Sequence, residues 1–145
     1  RDPMAMKPFC GYNYGDYWQH WLDLGETLSS PPEIFHVNWF RKDEDGQFLW
    51  PGFGENMRVL DWIIRRCAGA VPAEASPVGG LPRKGDIDTR GIHLDDRAMD
   101  RLIEVDRNGW REELEEIDAY LRSYGDRAPA GLLEELQRVR QRLGA

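Results

Sequence analysis

Proline and glycine interrupt this chain at short intervals as far as Gly91 and only sparsely beyond it. Proline removes a backbone donor and fixes φ, and glycine favours turns, so the first part suits short elements joined by ordered loops. The remainder is free to form longer helices. The pattern therefore predicts a mixed α/β chain, with a short β-hairpin and a few helices first and a helical C-terminal half.

Arg1 to Gly15 carries Pro3, Pro8, Phe9, Gly11, Tyr12 and Tyr14 and reads as an ordered loop. A helix is expected from Asp16 to Leu24, stopped by Gly25, with Tyr17, Trp21 and Leu24 on one face. After Pro31 and Pro32, the β-branched and aromatic run Ile34 to Phe40 predicts a strand. Asp43 to Gly46 predicts a turn, and Gln47 to Trp50 a returning strand. Pro51-Gly52-Phe53-Gly54 leads into a helix from about Glu55 to Cys67. That helix should turn Leu60, Ile63, Ile64 and Cys67 inward and Arg58, Arg65 and Arg66 to water, with Gly69 as its cap. Ala68 to Gly91 is a long connection with a short strand near Val78 to Leu81.

Beyond it, Asp95 or Asp96 opens a helix that buries Met99, Leu102 and Ile103. A second, Asn108 to Tyr124, aligns Trp110, Leu114, Ile117, Leu121 and Tyr124 and ends at Gly125. A third begins near Pro129 and carries Leu132, Leu133, Leu136, Val139 and Leu143, with Glu134 and Arg138 as a surface pair. The last two are expected to form an antiparallel hairpin.

A formal net charge of −7 without a sustained basic run argues against general nucleic-acid binding. No apolar stretch reaches membrane-spanning length and no secretory signal is visible, so a cytoplasmic protein is expected. Cys10 and Cys67 give no disulfide framework, and His20, His36 and His93 share no zinc-type spacing. The predicted metal set within this segment is therefore none.

The chemistry concentrates between Trp39 and Asn56, where Trp39, Phe40, Phe48, Trp50 and Phe53 crowd one hairpin-like unit. Gly52 and Gly54 allow unusual backbone angles and close approach of a ligand. Asn56 presents both a donor and an acceptor. Facing rings with an amide at the edge suit a planar heterocycle such as a purine, because the rings stack and the polar edge confers identity. The same aromatics would equally serve as a hydrophobic core.

The runs Phe35-His36-Val37-Asn38-Trp39-Phe40-Arg41-Lys42-Asp43 and Phe48-Leu49-Trp50-Pro51-Gly52-Phe53-Gly54-Glu55-Asn56 resemble the guanine-binding segment of GTP-dependent phosphoenolpyruvate carboxykinases. Asp2 to Gly15, Arg58-Val59-Leu60 and Ser76-Pro77-Val78-Gly79 continue the likeness, which is dense to about residue 82 and thins to a helical pattern beyond. The resemblance implies that residues 1–145 form the C-terminal portion of the carboxykinase nucleotide-binding domain. Within it, 1–91 would be the aromatic guanine-binding part and 92–145 the helical part.

It further implies a GTP site made by Trp39, Phe40, Phe48, Phe53, Gly54, Glu55 and Asn56. The implied reaction, that of a decarboxylating lyase in gluconeogenesis, converts oxaloacetate and GTP to phosphoenolpyruvate, CO2 and GDP with Mn2+, in a monomeric parent enzyme. No Gly-rich loop ending in Lys-Ser or Lys-Thr occurs here, nor the family's metal-binding Lys, His and Asp. These are expected upstream of Arg1, so no catalytic residue is assigned and the segment alone is expected to be inactive. Arg41 and Lys42 read as solvated turn charges rather than phosphate ligands. A free-standing guanine-nucleotide module, or a helical interaction fragment without catalysis, remains the alternative.

Overall fold

The computed structural model describes residues 5–144. It is a mixed helix-and-strand structure whose residues group into two compact units. One runs from Glu33 to Val105, and the other joins the residues up to Pro32 with those from Asp106 onward.

In the latter unit, helix α1 spans Tyr14–Thr27. It begins earlier than Asp16 because Asn13 caps it, its side-chain oxygen accepting from the Gly15 N–H at 2.8 Å. It also continues through Gly25, since one interior glycine costs only about 1 kcal/mol. Trp18, not Trp21, makes the principal contacts. Its ring stands edge-on to Tyr124 at 4.8 Å and Tyr120 at 5.9 Å, whereas Trp21 is exposed. The Lys7 ammonium lies 5.1 Å from both tyrosine rings. Gly15 permits the start of α1 to touch Gly125–Arg127, a single 3-10 turn, for a Cβ there would sit 2.0 Å from the Arg127 carbonyl oxygen.

Two further helices complete this unit, and their predicted faces match. Leu114 and Leu121 are buried among the residues of Arg107–Arg122, and Leu136 and Leu143 among those of Ala130–Leu143. Asp106 caps the first, accepting from the N–H groups of Asn108 and Gly109. The Arg107 guanidinium donates to the Leu143 carbonyl at 2.8 Å, and Arg140 meets Glu115 at 2.8 Å, so the pair is antiparallel. The acid that pairs along the second helix is Glu135, which binds both Arg138 and Arg142, rather than Glu134. These guanidiniums, Arg142 foremost, hold the Glu135 carboxyl below its ordinary range.

The unit from Glu33 to Val105 differs more from expectation. Ile34 to Phe40 is irregular and ends in a turn, because among the described residues no strand lies alongside to take up its backbone groups. The turn and return do form on a small scale. Asp43 N–H donates to Gln47 at 2.9 Å, Leu49 N–H donates to Arg41 at 2.9 Å, and Lys42 bridges Phe48. The ladder proper lies later, where β1 (Glu74–Ser76) pairs antiparallel with β2 (Gly79–Leu81).

Helix α2 (Asn56–Cys67) buries Trp62 and packs Val59 and Ile63 against Trp50, Ile87 and Met99. Leu60, Ile64 and Cys67, expected inward, face outward instead, with Ile64 65% exposed. The reason lies in the arginines. Arg58 donates to the Asp88 carbonyl at 2.7 Å, Arg65 to that of Asp86 at 2.8 Å and Arg66 to that of Val71 at 3.5 Å. Their side of the helix therefore covers the following loop instead of water, and the aliphatic stripe is rotated out. Gly69 closes α2 as predicted, its N–H bonding to Arg66 while that of Ala70 bonds to Arg65. Asp95 caps the helix Asp96–Ile103 through the Ala98 N–H, and Met99 enters the core.

Candidate functional site

The aromatic window runs from the residues just before the Arg41–Leu49 reversal to the start of α2, and its rings meet in two pairs, Trp39 with Trp50 and Phe40 with Phe48. The reversal is tightened by Asp43, whose side-chain oxygen accepts from the N–H groups of Asp45 at 3.0 Å and Gln47 at 2.8 Å. It is fastened to the helix Asp96–Ile103 at two points. The Arg41 guanidinium donates to the Glu104 carbonyl at 2.8 Å, and Arg101 approaches Glu44 at 3.7 Å. Arg41 is thus a tether rather than a free turn charge. Lys42 places its ammonium 5.0 Å from the centre of the Phe48 ring.

Trp50 then enters the core at 6% exposure, and the chain turns at once to come back outward. Gly52 makes that turn with φ 131°, a backbone conformation that a side chain resists. Phe53–Glu55 form one 3-10 turn that runs into α2, with the Asn56 N–H bonded to the Phe53 carbonyl. Gly54 lies in that turn with open space where a Cβ would stand, so its part is accessibility rather than an unusual angle.

The aromatics divide into two classes. Trp39 is half-buried, its ring 6.1 Å from that of Trp50 and packed on the core. Phe40, Phe48 and Phe53 are exposed by 71%, 57% and 91%. Phe40 and Phe48 meet edge-to-face at 6.1 Å and 63°, so these two rings do not themselves form a parallel slot. Phe53 projects from the next loop beside them in sequence.

Polar side chains follow the aromatics where the chain enters α2. Asn56 is half-buried and its side-chain oxygen accepts the Trp50 indole N–H at 2.9 Å. Glu55 meets Arg58 at 2.6 Å, and Arg58 in turn holds the Asp88 carbonyl. Arg90 binds Asp88 through its guanidinium and its backbone N–H, holding that carboxyl well below the usual range. The Trp50–Asn56 bond and the Arg41 tether escaped sequence reading. Each joins residues whose proximity depends on a chain reversal rather than on periodicity.

Among the described residues no group of three or more His, Cys, Asp or Glu side chains is placed to hold a metal ion. No described helix is long and apolar enough to cross a membrane.

Comparison with known proteins places this architecture. Residues 1–142 match the family described as phosphoenolpyruvate carboxykinase C-terminal P-loop domain. The chain is 48% identical over 143 residues to the phosphoenolpyruvate carboxykinase [GTP] of Chlamydia muridarum, covering 98% of this chain and 24% of that protein. It is 43% identical over 144 residues to the same-named protein of Thermoplasma volcanium, covering 99% of this chain and 24% of the relative. With that of Ascaris suum the identity is 44% over 146 residues, covering 99% and 22%. The chain thus spans about a quarter of the length of these relatives. On this match across nearly its whole length, the chain belongs to the phosphoenolpyruvate carboxykinase C-terminal P-loop domain family.

Proposed function

We propose that this chain is the guanine-binding portion of a GTP-dependent phosphoenolpyruvate carboxykinase, an enzyme that turns oxaloacetate and GTP into phosphoenolpyruvate, CO2 and GDP. The observation that carries this reading is the exposure of Phe40, Phe48 and Phe53 in a segment whose two tryptophans are held in, Trp50 buried and Trp39 half-buried. A segment serving only as core would hide those phenyl rings, since each forfeits on the order of 1.5–3 kcal/mol of burial by remaining in water. Beside a purine they recover it.

In this reading Trp39 backs the site from the core, while Phe40, Phe48 and Phe53 offer ring surface to the base. Gly54, Glu55 and Asn56 line its edge. The arrangement can bind and discriminate, but it supplies no nucleophile or general base to the reaction. Residues 1–145 are assigned as the C-terminal portion of the nucleotide-binding domain. The phosphoryl transfer, and the Mn2+ the family resemblance implies, are assigned to none of its described residues.

Calorimetric titration with GTP, ATP and guanosine tests the proposal. The expected result is saturable binding of GTP at least tenfold tighter than ATP. Equal affinity for the two would overturn a guanine site. Guanosine binding as tightly as GTP would mark a base-only module, whereas a strong advantage for GTP would require phosphate contacts as well.

A further inference from the structure

The geometry points to Trp50 as a positioning residue that sets which purine the proposed base site accepts, by fixing the orientation of the Asn56 amide. This rests on the guanine-site reading and adds to it the origin of selectivity. The Trp50 ring is locked by the core formed with Trp62, Ile87 and Met99, and 6% of its surface is exposed. An indole N–H can only donate, and of the two ends of an asparagine amide only the oxygen can accept. The 2.9 Å bond from Trp50 Nε1 therefore points Asn56 Oδ1 inward, toward the indole. This orientation turns the Nδ2 hydrogens, the amide's donor end, away from Trp50. Rotating the amide would set N–H against N–H in a half-buried place, leaving a donor unsatisfied.

An amide that presents its N–H end favours a base carrying a carbonyl acceptor at its edge over one carrying an amino group there. Guanine has an oxygen at C6 and adenine an amino group. Glu55, paired with Arg58 at 2.6 Å, does not compete for this role, because an ionised carboxylate has no hydrogen to donate. Selectivity thus originates one residue behind the contact, in a side chain that touches no ligand.

The experiment compares Kd for GTP and ATP by calorimetry in the unchanged protein, in Trp50→Phe and in Asn56→Asp, with melting temperature measured alongside. Trp50→Phe keeps an aromatic ring in the core but frees the amide to rotate. The GTP-to-ATP preference is expected to fall about tenfold, through weaker GTP and stronger ATP binding together, a change equal to about 1.4 kcal/mol. Asn56→Asp keeps the acceptor for Trp50 and removes the ligand-facing donor, and should abolish or invert the preference even if Trp50→Phe unfolds the site. A loss of affinity for both nucleotides by one factor, with the ratio unchanged, would show a merely structural Trp50 and overturn the inference. So would a retained preference in Asn56→Asp. No guanine preference in the unchanged protein would instead refute the guanine site itself, and the inference with it.

Discussion

Replacing Phe53 by alanine separates a ligand-facing ring from a core ring within one molecule. Complete truncation of a buried phenylalanine costs about 3–5 kcal/mol. Phe53 is 91% exposed, so only about a tenth of that packing exists to be lost, roughly 0.3–0.5 kcal/mol. For a chain of this size that corresponds to a fall in melting temperature of about 1–2 °C. Phe48, 57% exposed and covered by Lys42, should lose roughly 1–2 kcal/mol on the same reckoning. Base stacking on an aromatic side chain is worth about 1–3 kcal/mol by alanine substitution, which predicts a loss of GTP affinity of about 5- to 150-fold for Phe53→Ala. Thermal denaturation followed by circular dichroism and calorimetric titration of the same samples measure both quantities. A melting temperature lowered by 10 °C or more would mean that Phe53 belongs to the core. GTP affinity unchanged within twofold would mean that its exposed ring is not used, and the reasoning from exposure to base binding would fail.

Gly15→Ala should destabilise the protein by about 1–3 kcal/mol or more, because the new Cβ would stand 2.0 Å from the Arg127 carbonyl oxygen and backbone cannot give way cheaply. Urea unfolding that shifts by less than 0.5 kcal/mol would refute that close approach. Ile64→Lys, at a position 65% exposed, should change stability by no more than about 0.5 kcal/mol. With Met57 and Leu60 it forms an apolar stripe, so the substitution should also reduce concentration-dependent association in sedimentation velocity. Asp88 has a folded-state pKa below its ordinary 3.8, chiefly through Arg90, so its contribution to stability is present above pH 3.8 and disappears as the pH falls through the lower folded-state value. Melting curves from pH 6 to pH 2 should therefore show a smaller acid-side decline for Asp88→Asn than for the unchanged protein. Because the pair is exposed the difference will be modest, and parallel curves would refute it.

Periodicity and end signals determined the C-terminal helices. Leu114, Leu121, Leu136 and Leu143 are buried on the expected faces, and Asp95 caps where one of two adjacent acids was expected to. Such features are legible because a helix face and a cap are settled by residues three or four apart. The aromatic window was visible for the same local reason, as a density of rings and glycines in one short span.

What local spacing could not decide was which way an ambiguous helix turns. Residues 56–67 carry apolar side chains around much of the helix, and the choice of Trp62 over Leu60 and Ile64 was made by carbonyls at Val71, Asp86 and Asp88 that capture Arg66, Arg65 and Arg58. Ile34 to Phe40 has strand-forming residues but no neighbouring strand among the described residues, and a strand without a partner leaves its backbone groups unpaired. The division of the aromatics was also tertiary: Trp50 went inside and Phe53 outside, although they stand three residues apart. A turn at Gly52 separates their directions, and a single bond from Trp50 back to Asn56 rejoins them. Sequence established which chemical groups were available at this loop, and the three-dimensional path of the chain decided which remain free to meet a ligand, because hydrogen-bond partners and burial depend on neighbours distant in sequence.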